Sequence, residues 1–231
     1  MSMRGSDPGE FLKNQAAEFN TGLKKLFSEV ILPLVPFVVL LFFLLTFLVY
    51  IGPNQYGIKQ VNIGINPGIR PHVYETGFHI VVPFGFQVMH RFPRDVQVFE
   101  LTSYADTASR DARKEKAAHI QTSDGFFVTV DVSILYHIVD PYKVFTTVGP
   151  GKLYEDNGII PKVEPKLKEA LGELTTEEFY NSPLRVEKSL IAKNLLNEEL
   201  NPKGIHIDHV LVRYFVYSPE LQRNIEEKKL K

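Results

Sequence analysis

The chain has 231 residues, a formal net charge of −1 and no cysteine. The balanced charge gives no electrostatic footprint for nucleic acid, and the lack of cysteine excludes disulfides, thiolate metal sites and a cysteine nucleophile while leaving the redox compartment open. Setting aside an apolar N-terminal portion leaves about 180 residues, enough for one good core or two small ones.

Residues 1–29 read as a cytoplasmic or interfacial segment. Leu12, Ala16, Phe19, Leu23 and Leu26 recur at three- and four-residue spacing, with Lys13, Lys24 and Lys25 among polar neighbours. That pattern fits a helix lying on an anionic leaflet, and equally a tail interrupted by Gly22.

Residues 30–51 read VILPLVPFVVLLFFLLTFLVYI, with no charge between Glu29 and Lys59. As one helix this run would extend about 33 Å against a hydrocarbon core of about 30 Å. A buried soluble helix would keep a polar stripe, and a cleaved signal would have a shorter apolar run and a small-x-small site. The expectation is therefore a transmembrane helix, with Pro33, Pro36, Phe42, Phe43, Leu44 and Phe47 in the membrane. Pro33 and Pro36 sit near its start, where a helix has no hydrogen bonds to lose. A re-entrant hairpin would place proline mid-run, and it stands as the alternative. Arg4, Lys13, Lys24 and Lys25 precede the run and only Lys59 follows closely, so the positive-inside rule puts the N-terminus in the cytoplasm and the main domain across the membrane.

Beyond residue 51 the period changes. Residues 55–65 read as a strand closed by the turn signal Asn66-Pro67-Gly68. Residues 78–82 and 88–101 are further strands, the second bent at Pro93. Residues 102–116 form a polar, charged loop. The clearest strand covers 126–138, where Phe126, Val128, Val130, Val132, Ile134, Tyr136 and Ile138 alternate with Phe127, Thr129, Asp131, Ser133, Leu135 and His137. That alternation predicts a sheet buried on one face only.

From about Asn157 the period is helical. Ile160, Val163, Leu167, Leu171 and Leu174 mark one amphipathic segment. Thr175 and Glu178 fit a capping box, and Ser182-Pro183 supplies an N-cap and first-turn proline for a helix over 184–200. Asn201-Pro202-Lys203-Gly204 stops it, residues 205–216 return to strand, and Ser218-Pro219-Glu220 opens a last helix. Strands, then helices, then a closing strand predict one α+β unit over 52–217.

This order, together with GPNQYGI at 52–58, TGFHIVVPF at 76–84, IQTSDGFFVTVDVSILYHIVDPYKVF at 120–145 and GIHIDHVLV at 204–212, resembles the SPFH or band 7 family of stomatins, prohibitins, flotillins and HflK/HflC. In layout it looks most like prohibitin or HflC/HflK. The resemblance implies a membrane scaffold that forms homo- or hetero-oligomers with SPFH subunits, organises a membrane microdomain and regulates an ATP-dependent AAA+ membrane protease. It also implies the bacterial inner membrane as location. Relatives of this kind usually continue into a long coiled coil; either residues 218–231 are its truncated start, or assembly rests on the globular domain and the anchor. Leu221 and Ile225, four residues apart, with Glu226 and Lys229 as charges that set register, are the candidate oligomer contacts.

No catalytic, cofactor or metal residue is expected. His206, Asp208 and His209 are the tightest candidate cluster, but strand alternation parts His209 from the other two unless a bulge intervenes. His79 and His137 read as structural. Ser123-Asp124-Gly125 lacks a nucleophile elbow and reads as a turn, and Gly149-Pro150-Gly151-Lys152 lacks the features of a phosphate loop. The apolar residues of the strand-loop region 78–86, including Val81, Val82, Phe84 and Phe86, read either as core or as a surface that dips into the lipid. A membrane-bound hydrolase and a monomeric lipid- or ligand-binding module are the rival functions.

Overall fold

The computed structural model describes residues 32–64, 66–104 and 112–217, together with Lys25, Ser28 and Glu29. The predicted interfacial helix over 12–26 falls almost wholly outside them. So does the last helix, with Leu221, Ile225, Glu226 and Lys229. The chain divides into two compact units between Val49 and Tyr50.

The first unit contains α1 (Leu32–Phe47), sixteen residues long. At about 1.5 Å per residue it measures about 24 Å. Among the described residues no helix is long and apolar enough to cross a membrane. Pro33 falls in its first turn, and Pro36 lies within it, forfeiting one backbone hydrogen bond. The expected continuation to Ile51 is corrected: Leu48–Ile51 is a strand, β1. Val49, Tyr50 and Ile51 are β-favouring residue types, and a partner strand satisfies their backbone.

In the second unit β2 (Gln55–Val61) pairs antiparallel with β3 (Gly68–Tyr74) and β5 (Gln87–Pro93). The short β4 (Gly77–Ile80) pairs with β1. The turn into β3 stands as read, with Asn66 and Gly68 both at positive φ. The predicted strand over 88–101 is two strands. β5 ends at Pro93 and β6 (Gln97–Leu101) joins the larger sheet.

That sheet is built around β9 (Phe127–Ile138). The short β7 (Arg113–Glu115) lies parallel to β6, inside the segment read as loop. One edge of β9 pairs with β8 (Ala118–Gln121) and then with β6; the other pairs along its length with β10 (Ile205–Tyr217). The predicted apolar face, from Val128 to Ile138, is wholly buried, each such side chain contributing roughly 1.5–3 kcal/mol. Phe126 departs from it and is exposed.

The opposite face differs from the one-sided expectation. Asp131 and Ser133 are buried there. Asp131 accepts from the Thr102 hydroxyl and the Ser103 backbone N–H, while Ser133 donates to Glu100, which also pairs with Arg213. Burial of these polar groups is tolerable because each has a partner.

The helices cover the apolar face. Asp140 caps α2 (Pro141–Thr147), accepting from the N–H groups of Tyr142 and Lys143. A π-helical turn, Tyr154–Ile159, leads into α3 (Ile160–Leu171), which buries Val163, Leu167 and Leu171 as the spacing predicted. The capping box is present: the Glu178 N–H donates to the Thr175 hydroxyl, and the Glu178 carboxylate accepts from the Thr175 N–H. The turn it opens is a short 3-10 segment. In α4 (Ser182–Leu200) the cap is Asn181, one residue earlier than expected, because Ser182 is already helical. Gly204, at φ 86°, stops this run. Any side chain there would collide with the Asp140 carbonyl.

Candidate membrane-facing surface

The helix α1 is apolar on every side. Pro33, Pro36, Phe42, Phe43 and Leu44 are exposed along it, and the Phe43 and Phe47 rings stack at 4.4 Å. Their membrane location is an expectation from composition. A helix with no polar face has no stable place in water without a large apolar partner or lipid.

The folded unit carries a second apolar surface. Phe78, Ile80 and Phe84 are 71%, 63% and 77% exposed, with Phe86 also outward. The sequence left this loop open between core and lipid-facing, and it divides. Val81 is core, whereas Val82, Phe84 and Phe86 face out to differing degrees. Phe78 and Ile80 lie within the strand-loop region 78–86 that the sequence offered as a candidate, and alternation within Gly77–Ile80 sets them on one face. Nearby, Ile63 is exposed as well. The Tyr50 ring lies 5.1 Å from that of Phe78, so the patch reaches the residue that follows closely after α1 in the chain.

The turn presenting Phe84 is firmly held. The Gln87 N–H donates to the Val82 carbonyl, the Phe86 N–H to Pro83, and the Val82 N–H to the Gln87 side chain. From the adjoining β2–β3 loop, Asn62 and Ile63 N–H groups reach the Phe86 carbonyl, and the Asn62 amide reaches Gly85. Phe84 adopts φ 60°, a left-handed backbone that costs an L-residue about 1–2 kcal/mol. Beside the patch, Lys59 donates to the Ile80 carbonyl at 2.9 Å and sits over the Tyr74 ring.

The residues weighed for chemistry are held in other ways. The bulge that a His206–Asp208–His209 cluster requires does occur, between Ile207 and His209. Even so, His206 bonds Asn201, Asp208 pairs with His137 at 2.8 Å, and His209 is exposed. No group of three potential ligands could hold a metal among the described residues. His79 bonds the Glu75 carbonyl. Asp124 accepts the Thr176 N–H and ties the β8–β9 turn to the connection between α3 and α4, while the Ser123 N–H donates to Leu174.

A cavity of about 760 Å³ opens beside the ends of β2 and β5, lined among others by Arg91, Asp95, Lys152, Tyr154 and Glu155. The Tyr136 hydroxyl donates to the Glu155 carboxylate at 2.8 Å. Burial and this neighbouring carboxylate push the Tyr154 hydroxyl up to about 12. Both signs of charge line the cavity, and they select no single ligand charge.

Fold and surfaces define an α+β domain that follows an apolar helix in the chain. The SPFH domain / Band 7 family model matches residues 49–231, and the chain belongs to that family. Members of it are membrane-associated, typically oligomeric and generally non-enzymatic scaffolds. A comparison with curated proteins returned no match.

Proposed function

We propose that the protein is a membrane-anchored scaffold whose copies assemble laterally, as homo-oligomers or with other SPFH subunits, and organise the lipids and proteins around them. It acts by confinement, without chemistry. Residues 30–51 form the anchor, 52–217 the SPFH domain and 218–231 the start of an assembly helix. The N-terminal segment, 1–29, lies in the cytoplasm and the domain on the opposite side, in a bacterial inner membrane. An AAA+ membrane protease is the partner whose access to substrates such an assembly would regulate, a proposal that rests on the prohibitin- and HflC-like layout.

One observation carries the membrane reading. The exposed patch of Phe78, Ile80 and Phe84 adjoins Tyr50, just beyond a helix apolar on all sides. Exposed contiguous apolar surface of this kind marks interaction with lipid or protein. The length of α1, about 24 Å, supports a second reading, in which the anchor is a hairpin and the domain stays in the cytoplasm. A monomeric lipid-binding module would use the same patch without assembling.

The chain lacks cysteine, so single cysteines carry a dye cleanly. In proteoliposomes a dye at Phe84→Cys should be quenched by nitroxide-bearing lipids, and one at Glu198→Cys on α4 should not. Equal quenching at both positions, or none at either, overturns the lipid-facing assignment.

A further inference from the structure

The charged cavity beside the ends of β2 and β5 is lined by groups of opposite sign that do not satisfy one another. Arg91, Asp95 and Lys152 are exposed on its lining, and none of the three forms an ion pair among the described residues. Arg113, also on the lining, is already paired with Glu115 and Asp156. The last charged group, Glu155, is buried and accepts the Tyr136 hydroxyl at 2.8 Å. Tyr154 and Glu155 open the π-helical turn, a geometry that recurs at functional sites. Burial first, then the charge of Glu155 and more weakly that of Asp95, push the Tyr154 hydroxyl up to about 12, so the two carboxylates gather around one phenol. Arg91 also lines a smaller hollow that Tyr50, Gly52 and Pro53 complete. The Tyr50 ring in turn lies against Phe78 of the exposed apolar patch.

We propose that this cavity takes the headgroup of a phospholipid ending in a primary ammonium, of the phosphoethanolamine class. The inference rests on the membrane reading above and names a lipid for it. The order of groups along the surface carries it: apolar patch, Tyr50, Arg91, then the carboxylates. A lipid of this class has the matching order of acyl chain, phosphate and ammonium. The phosphate oxygens accept from Arg91, whose guanidinium suits a phosphate, with Lys152 as the second cation. The ammonium donates to Asp95 and Glu155. Arg91 and Lys152 cancel Asp95 and Glu155 in formal charge, which fits a ligand of zero net charge and gives an anionic lipid no advantage. A choline headgroup fits poorly. Its quaternary nitrogen has no N–H to give and would leave the carboxylates desolvated without a donor. The volume of about 760 Å³ lies within the usual range for a small-molecule site.

The test uses the full chain in detergent with equal amounts of phosphatidylethanolamine, phosphatidylcholine and phosphatidylglycerol, bound lipid being read by native mass spectrometry. The wild type should retain the ethanolamine lipid about tenfold over the other two, the factor that one charge-assisted hydrogen bond gives. Arg91→Gln with Asp95→Asn should abolish that preference. Both positions are exposed, so the melting temperature should hold. A preference that survives the double change overturns the cavity as its site. Equal retention of the three lipids by the wild type, or a preference for either of the other two, overturns the headgroup assignment without reference to the variant. Glycerophosphoethanolamine, the same headgroup without acyl chains, separates lipid from soluble ligand: if it displaces the lipid at equal concentration, the lipid source is overturned. The membrane reading is checked separately, by nitroxide quenching of a dye at Phe84→Cys in proteoliposomes. Quenching without any lipid preference overturns the cavity site and leaves the membrane reading standing. No quenching, whichever lipid is retained, overturns the membrane reading and the lipid source with it.

Discussion

Ile51 is fully buried against Gly57, its Cδ1 lying where a Cβ at Gly57 would have to be. The same Cβ would stand 2.9 Å from Met89 Sδ and 3.2 Å from Tyr74 Cβ. Glycine is therefore a packing requirement at this point, since its φ is ordinary. Ile51 lies near the start of the folded unit, so this contact packs its first residues against β2.

Gly57→Ala should destabilise the domain by about 1–3 kcal/mol through overpacking. Ile51→Ala should also destabilise, by opening a cavity. The double variant should lose clearly less than the sum, because the smaller residue at 51 makes room for the added methyl. Urea unfolding of the detergent-solubilised protein measures all three. Additive losses would show that Ile51 does not set the space over Gly57.

The two faces of β9 make the second prediction. Val130→Asp puts an unpaired charge into the core and should cost on the order of 3 kcal/mol or more. Thr129→Asp, at a half-exposed position, should be tolerated. Asp131→Ala should not be, although it lies on the face that reads as polar. It leaves the Thr102 hydroxyl and Ser103 N–H without their acceptor, a loss of about 1–3 kcal/mol. Unfolding midpoints rank the three, and a neutral Asp131→Ala would mean that the network holds nothing together.

Features repeated within one segment were legible in the sequence. The period-two run from Val128 to Ile138, the stripe Val163–Leu167–Leu171 and the Thr175–Glu178 box each carry their own local signal. Elements too short to show a period were not. β3 is obscured by Pro71 and His72, β8 is four residues long, and α2 announces itself only by Asp140-Pro141, a cap followed by a first-turn proline. The burial of Asp131 was hidden for another reason: it depends on Thr102 and Ser103, far away in the chain. The end of α1 at Phe47 was not legible either, since hydropathy alone runs unbroken to Ile51. Of the exposed apolar patch, the region 78–86 was in view, but residue type could not separate Phe84 and Phe86 from core Val81.

Acid should loosen the connection between α3 and α4. Burial pushes the Asp124 carboxyl up, but hydrogen bonding from Thr122 and Thr176 outweighs it and holds the group below its ordinary value. Glu178 is also held low, first by the Thr175 N–H and then by its hydroxyl. A depressed carboxyl contributes stability above its unfolded value, roughly pH 4, and loses it as pH falls through the folded value. The melting temperature of the wild type should therefore drop on the acid side, with a shallower drop in Asp124→Asn/Glu178→Gln. An unchanged acid slope in that variant would place the sensitivity elsewhere.

Topology is decided by labelling. In intact cells a cysteine at Ser6 should be protected from an impermeant thiol reagent and one at the exposed Ser103 should react. Protection at both positions, relieved by lysis, would support the cytoplasmic hairpin that the length of α1 allows.

Phe84 separates stability from membrane contact. Its φ of 60° is strained for phenylalanine, and its ring is mostly in solvent. Glycine removes that strain and gives up little burial, so Phe84→Gly should raise stability by about 1 kcal/mol. The same change should weaken the hold of the loop on lipid. A dye at Ile63→Cys, on the adjoining loop whose Ile63 N–H bonds the Phe86 carbonyl at 3.2 Å, should be quenched less by nitroxide lipids once Phe84 is glycine. Opposite signs in the two measurements are what a side chain kept for contact with lipid requires, because a residue kept for folding moves both the same way. Lower stability in Phe84→Gly would make the ring a packing element. Higher stability with unchanged quenching would leave the strain real but unconnected to the membrane.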